Sequence, residues 1–204
     1  LIEREHSMDF SLTREQELIR KMIAAFTKNE VEPIAAEIDR THEYPAANIE
    51  KMFQLGIMGM TVPAEYGGAG ADQISAAICT EELAKACAST SDIVAGHTLC
   101  CVPILEHGTE EQKKKYLPML TKGGVVGGMG ITEPNAGSDA SKSQTEAKLE
   151  GDHYVINGSK IFITNGPEAG VFVIFAMTDK SKGTKGLSAF IIENTFPGFS
   201  VGKV

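Results

Sequence analysis

Apolar positions along this chain follow two different periods. From Ser11 to Lys122 they recur at helical spacing, and past Gly123 they alternate. Leu18, Ile19, Met22, Ile23 and Phe26 form one stripe, and Thr13 with Gln16 reads as a capping box at its start. A second helix carries Val31, Ile34, Ala35 and Ile38, with Pro33 tolerable only in its first turn. A third spans about 45–55 and stops at Gly56. After the loop VPAEYGGAGAD, residues 62–72, two apolar helices are expected over 74–88 and 92–105. Gly108 ends the latter, and Thr109 with Gln112 opens TEEQKKKYLPML. In that helix Lys113 to Lys115, flanked by Glu110 and Glu111, reads as a solvated face.

Beyond Gly123, DHYVINGSKIFITNG places Asn157-Gly158 between two alternating runs and predicts a hairpin there. VFVIFAM (171–177) and LSAFIIE (187–193) predict two more strands joined by TDKSKGTKG. The expected architecture is therefore α+β: an all-α domain over 8–123, then an antiparallel sheet or β-barrel-like domain over 124–204. Residues 1–7 carry no pattern and read as an extraneous or frayed start.

Composition narrows the function classes. Of 204 residues 42% are hydrophobic and 23% charged, an ordinary globular balance. A net charge of −8 argues against nucleic acid or anionic lipid as the primary partner. No run approaches eighteen apolar residues, and the start lacks the order of a signal peptide, so membrane insertion is not expected. Cys79, Cys87, Cys100 and Cys101 sit in apolar helical patterns and read as buried reduced thiols of a cytosol-like compartment. The five histidines are scattered without ligand spacing, so no metal site is expected. No G-x-G-x-x-G follows a strand and opens a helix, and there is no Walker A motif.

Two segments carry candidate chemistry. In GITEPNAGSD, Gly130 to Asp139, Thr132, Ser138 and the main-chain N–H groups around Gly137 are donors, while Pro134 and Gly137 shape the backbone. Such a loop suits an anion or a polar ring edge, or it is a plain surface turn; residue chemistry leaves both open. In KIFITNG, Lys160 to Gly166, alternation puts Phe162 and Thr164 on one strand face and Ile161 and Ile163 on the other. That face either receives a planar ligand or is an ordinary strand face.

GITEPNAGSD, followed by KIFITNG and preceded by PAEYGGAG (63–70), resembles the acyl-CoA dehydrogenase family from about Phe10 to Gly202, with the short-chain butyryl-CoA dehydrogenases nearest in flavour. The resemblance implies a helical domain, a middle β domain and a C-terminal four-helix domain, with FAD as cofactor. It implies that Met129, Gly130, Ile131, Thr132, Glu133, Pro134, Asn135, Ala136, Gly137 and Ser138 line the flavin, Thr132 toward its pyrimidine end. Ser138 would also touch the CoA side of the substrate. Phe162, Ile163 and Thr164 would cover the ring, Thr164 near N5, with Phe162 where many members have tryptophan. Ala95 and Leu99 are expected to wall the acyl pocket, with mere helix packing as the competing reading. Lys142 departs from the small residue usual in the signature.

The implied reaction is α,β-dehydrogenation of a short-chain acyl-CoA, or the reverse reduction of an enoyl-CoA, with electrons exchanged with electron-transferring flavoprotein. In the family the base is a glutamate of the C-terminal domain, so no catalytic residue is assigned in this chain; Glu133, Glu81 and Glu82 read as structural. The family further implies a homo-oligomer, tetramer or dimer, in the bacterial cytoplasm or alternatively the mitochondrial matrix. Sibling readings are an acyl-CoA oxidase or flavin hydroxylase on the same scaffold; a reading from another class is a non-catalytic fragment acting in binding or assembly.

Overall fold

The computed structural model describes residues 10–202, so the reading of residues 1–7 lies outside them. Helix α1 (Arg14–Phe26) begins at the expected capping box: Thr13 accepts from the Gln16 N–H, and the Gln16 side chain accepts from the Thr13 N–H at 2.9 Å. The same Gln16 donates to Asp72, which caps the helix starting at Gln73, so one buried amide joins two helix starts. A single π-helical turn, Thr27–Val31, carries α1 directly into α2 (Glu32–Thr41), where Pro33 sits in the first turn. Helix α3 (Ala46–Gln54) follows, and the chain turns at Gly56 with φ 74°. The apolar stripe of α1 divides: Ile23 and Phe26 are buried, whereas Leu18 and Met22 face outward.

Helix α4 (Gln73–Ala84) ends earlier than its apolar pattern, and α5 (Ala88–His107) starts earlier, so the break falls at residues 85–87. Helix α5 is twenty residues long, and its mean hydropathy of 1.2 would suffice for a membrane span by length and composition alone, unlike the sequence expectation. Half of that window is buried against other elements of the fold. Helix α6 (Glu110–Thr121) opens on the expected Thr109–Gln112 capping box.

The sheet half departs from the expectation in two ways. First, the five strands form a mixed sheet rather than an antiparallel sheet or barrel. Strand β4 (Val171–Met177) pairs along its whole length, antiparallel, with β5 (Leu187–Glu193). On its other edge β1 (Gly127–Gly130) takes residues 171–174 in parallel, and β2 (Glu146–Glu150) joins in parallel at Met177. Second, the hairpin turns elsewhere. Strand β3 (His153–Asn157) pairs with β2 through a two-residue turn at Gly151-Asp152, where Gly151 has φ 67°. Asn157-Gly158 ends β3, and KIFITNG is a loop, so Phe162 and Thr164 do not share a strand face.

The reason is tertiary. Past Gly158 the Ile161 N–H bonds the Thr132 carbonyl at 2.9 Å, and Phe162 and Asn165 take φ of 55° and 65°. A left-handed residue cannot continue a strand. Two apolar cores support this frame. One is helical, around Ile23, Met52 and Leu83; the other, with Cys100, Ile104, Leu117, Leu120, Val171 and Val173, joins α5 and α6 to β4. Burying a leucine such as Leu117 stabilises by about 1.5–3 kcal/mol, so this second core welds the two halves. All four cysteines are buried free thiols, and burial pushes Cys79 and Cys100 up to about 12.

Candidate functional site

The two motif segments form one unit at the edge of the sheet. Strand β1 delivers the chain into 131–139, where Glu133 and Ala136 exchange both main-chain hydrogen bonds around Pro134-Asn135, closing a tight turn. Pro134, Asn135, Gly137 and Ser138 are exposed at the tip, and Ala136 is buried behind them. Asp139 then caps a single 3-10 turn, Ala140–Lys142, accepting from the Ser141 N–H, with Lys142 3.5 Å away as ion partner. The departure at Lys142 is thus absorbed on the surface, and these bonds hold the Asp139 carboxyl below its ordinary range.

A buried ion pair clasps this loop to the second one. Lys160 Nζ donates to Glu133 Oε1 at 2.7 Å and to the Ile131 carbonyl at 3.1 Å; the two side chains are 7% and 4% exposed. The Glu133 carboxylate also accepts from Ser143 Oγ and from the main-chain N–H groups of Gln144 and Thr145. Burial opposes the charge, but these donors outweigh it, and the Glu133 carboxyl is held far below its usual range. Glu133 therefore turns inward as a structural anion, its carboxylate engaged by four donors of the protein itself. Lys160, quoted in the motif but given no role, is its partner; opposite charges in two paired motifs were the available signal.

Three further bonds seat the second loop on α5. Thr164 Oγ1 donates to Asp92 Oδ2 at 3.0 Å. Asn165 Nδ2 donates to the carbonyls of Ile93 and Gly127, both at 3.0 Å. The loop comes close because residue 96 is glycine: a Cβ there would stand 2.7 Å from Thr164 Cγ2. The sequence gives Asp92, Asn165 and His97 no role, since their partners lie 30 to 72 residues away.

The clasped loops present an unspent donor set. Among the described residues the Thr132 and Ser138 hydroxyls have no hydrogen-bond partner, while Met129, Ile131 and Ile163 are half-buried. Phe162 is 89% exposed, an aromatic ring held out by a left-handed backbone on a loop pinned at both ends. A phenyl ring left in water, on a loop clasped to one that carries unspent hydroxyls, suits a planar, hydrogen-bonding heterocycle.

Ala95 and Leu99 lie elsewhere on α5. At 100° per residue, Ile93, Gly96, His97 and Cys100 cluster on the side that meets the loops and β1, while Val94, Ala95, Thr98 and Leu99 face the other way. That second side, with Ile57, Met60 and Ala77, lines an apolar groove of about 350 Å³ between α4 and α5. Asp92 stands on the rim between the two. A second hollow of about 430 Å³, under Pro103, Lys115, Tyr116 and Phe190, contains none of the expected site residues.

Comparisons with known proteins agree on a family. The model for "Acyl-CoA dehydrogenase, N-terminal domain" matches residues 13–124 and that for the "middle domain" matches 128–204. The short-chain specific acyl-CoA dehydrogenase of Clostridium acetobutylicum is 62% identical over 97% of this chain and 52% of its own length. The butyryl-CoA dehydrogenase structure from Megasphaera elsdenii superposes with a TM-score of 0.91 at 44% identity, covering 96% of this chain and 52% of that one. A structure described as the electron transferring flavoprotein of Acidaminococcus fermentans gives 0.92 at 49% identity with the same coverage. The chain thus spans about half the length of these relatives.

Proposed function

The chain belongs to the acyl-CoA dehydrogenase family, and from that premise we propose that its clasped loops hold the isoalloxazine of FAD for α,β-dehydrogenation of a short-chain acyl-CoA, or the reverse reduction. The observation that carries this reading is the pairing of unpartnered Thr132 and Ser138 hydroxyls with the outstretched Phe162 ring on one clasped unit. When bound, FAD supplies the acceptor for the β-hydride. The chain's own part is to bind and to exclude water.

In this reading Met129 to Ser138 line one edge of the cofactor, with Thr132 donating to it and Ser138 reaching the CoA side. Glu133 contributes its backbone alone, because its carboxylate is spent on Lys160. Phe162, Ile163 and Thr164 cover the ring. The Thr164 proton points to Asp92, so its hydroxyl offers lone pairs rather than a proton while that bond persists. Ala95 and Leu99, in the groove between α4 and α5, take the short acyl chain. The division into domains at 123/124, exchange of electrons with electron-transferring flavoprotein, assembly as a homo-oligomer and a place in cytoplasmic fatty-acid metabolism belong to the same proposal.

The test is spectroscopic. Purified chain is titrated with FAD, its visible spectrum recorded, and butyryl-CoA added without oxygen. Retained flavin supports the cofactor reading, and bleaching would add that the chain turns over without the glutamate base that the resemblance puts in another domain. No retained flavin overturns the cofactor assignment; flavin that stays oxidised overturns turnover by this chain. Rapid reoxidation by oxygen points to an oxidase and against electron-transferring flavoprotein.

A further inference from the structure

Gly127, the first residue of β1, has both main-chain groups held by side chains rather than by a strand. Its N–H donates to His97 Nδ1 at 2.9 Å, and its carbonyl accepts from Asn165 Nδ2 at 3.0 Å. His97 is fully buried on α5, edge-on to the Phe53 ring with centroids 5.8 Å apart. Because Nδ1 accepts, the neutral ring carries its proton on Nε2, which lies 3.5 Å from Cys101 Sγ. The contact is close: a Cβ on Gly127 would stand 2.7 Å from Cys100 Cβ.

We propose that His97 is a positioning residue, which through the Gly127 N–H sets where β1 leaves α5 and hence where loop 131–138 stands against loop 160–166. The cofactor arm of this inference rests on the reading of those loops as a flavin edge. The geometry gives α5 one seat for each loop. Asp92 and Ile93 hold loop 160–166 through Thr164 and Asn165, and His97 holds the strand that feeds the other. Asn165 bridges the two by touching both Ile93 and Gly127. An error in the seat of Gly127 is carried three residues along β1 to Gly130, and from there into the Glu133 turn.

Two substitutions separate positioning from packing. His97→Asn keeps an acceptor near the place of Nδ1, whereas His97→Gln keeps a donor near Nε2 and leaves the Gly127 N–H alone. In the cofactor-free chain, amide exchange is followed at Gly127 and at Ile161, whose N–H bonds Thr132 across the loops. FAD affinity is then titrated for each protein. His97→Gln is expected to speed exchange at both amides and to weaken FAD by about tenfold beyond His97→Asn, the scale of one orphaned buried donor. His97→Asn restores both readouts.

Equal losses in the two variants, or exchange faster by one common factor at every amide, would overturn the proposal and leave a packing role. Protection of Gly127 in His97→Gln overturns it as well. Should the unaltered chain take up no flavin, the flavin reading falls, and the two amides alone decide the role of His97.

Discussion

The helical half and the sheet half satisfy their polar groups at different range. At the starts of α1 and α6 the donors are met within three residues, by Thr13 with Gln16 and Thr109 with Gln112. Around the site the bonds span the fold: Lys160 reaches back 27 residues to Glu133, Asn165 reaches 38 to Gly127 and 72 to Ile93. A local bond costs little chain entropy and can be lost singly. A long-range bond closes a loop and is held by its neighbours, so its removal strands other buried groups.

The sharpest way to break that contrast is Lys160→Met. It leaves the Glu133 carboxylate buried without its cation, and unfolding in urea is expected to show a loss of about 3–5 kcal/mol. Adding Glu133→Leu should recover a large part of it, because the two side chains act as one unit. If the single change costs no more than a surface pair, the clasp holds nothing.

Acid comes next. Burial lowers His97 from 6.5 to about 4, partly offset by the Leu120 and Met58 carbonyls. The unfolded chain binds the proton first, so stability is complete above about pH 6.5 and falls as pH drops toward 4, by about 3 kcal/mol. His97→Asn should flatten stability across that window. Glu133, whose folded value is lowered, acts in a separate and lower window: its contribution is full above the ordinary carboxylate range and fades as pH falls below it. Two slopes in a urea series from pH 7 to low pH check both signs.

Asn165→Ala removes two bonds that pin loop 160–166 and takes the side-chain donor from the Gly127 carbonyl, whereas the Ile93 carbonyl keeps its place in the α5 ladder. A loss of about 2 kcal/mol is expected, with faster amide exchange in that loop. Smallest is Thr13→Ala, about 1 kcal/mol from one helix start, with no change in exchange near Gly127. An effect of Thr13→Ala at Gly127 would show that the halves are coupled more tightly than the bond ranges suggest.

The sequence by itself determined the change of character near residue 123, both capping boxes, and the partition of the chain into helices and strands over most of its length, including β4 and β5 as strands joined by one loop. It also marked GITEPNAGSD and KIFITNG as belonging together, and Glu133 as structural. The elements rest on side-chain period and on caps three residues apart, which are local; the pairing of the two motifs rests on their resemblance to a family. Only the tertiary structure decided that the alternating run 160–164 is no strand. Lys160 is drawn to Glu133, and Asn165 to α5 and β1, which forces left-handed residues where the pattern reads extended. The parallel seat of β1 beside β4 and the bond from His97 to Gly127 were equally hidden, because each joins groups whose nearness exists only once α5 lies against the sheet.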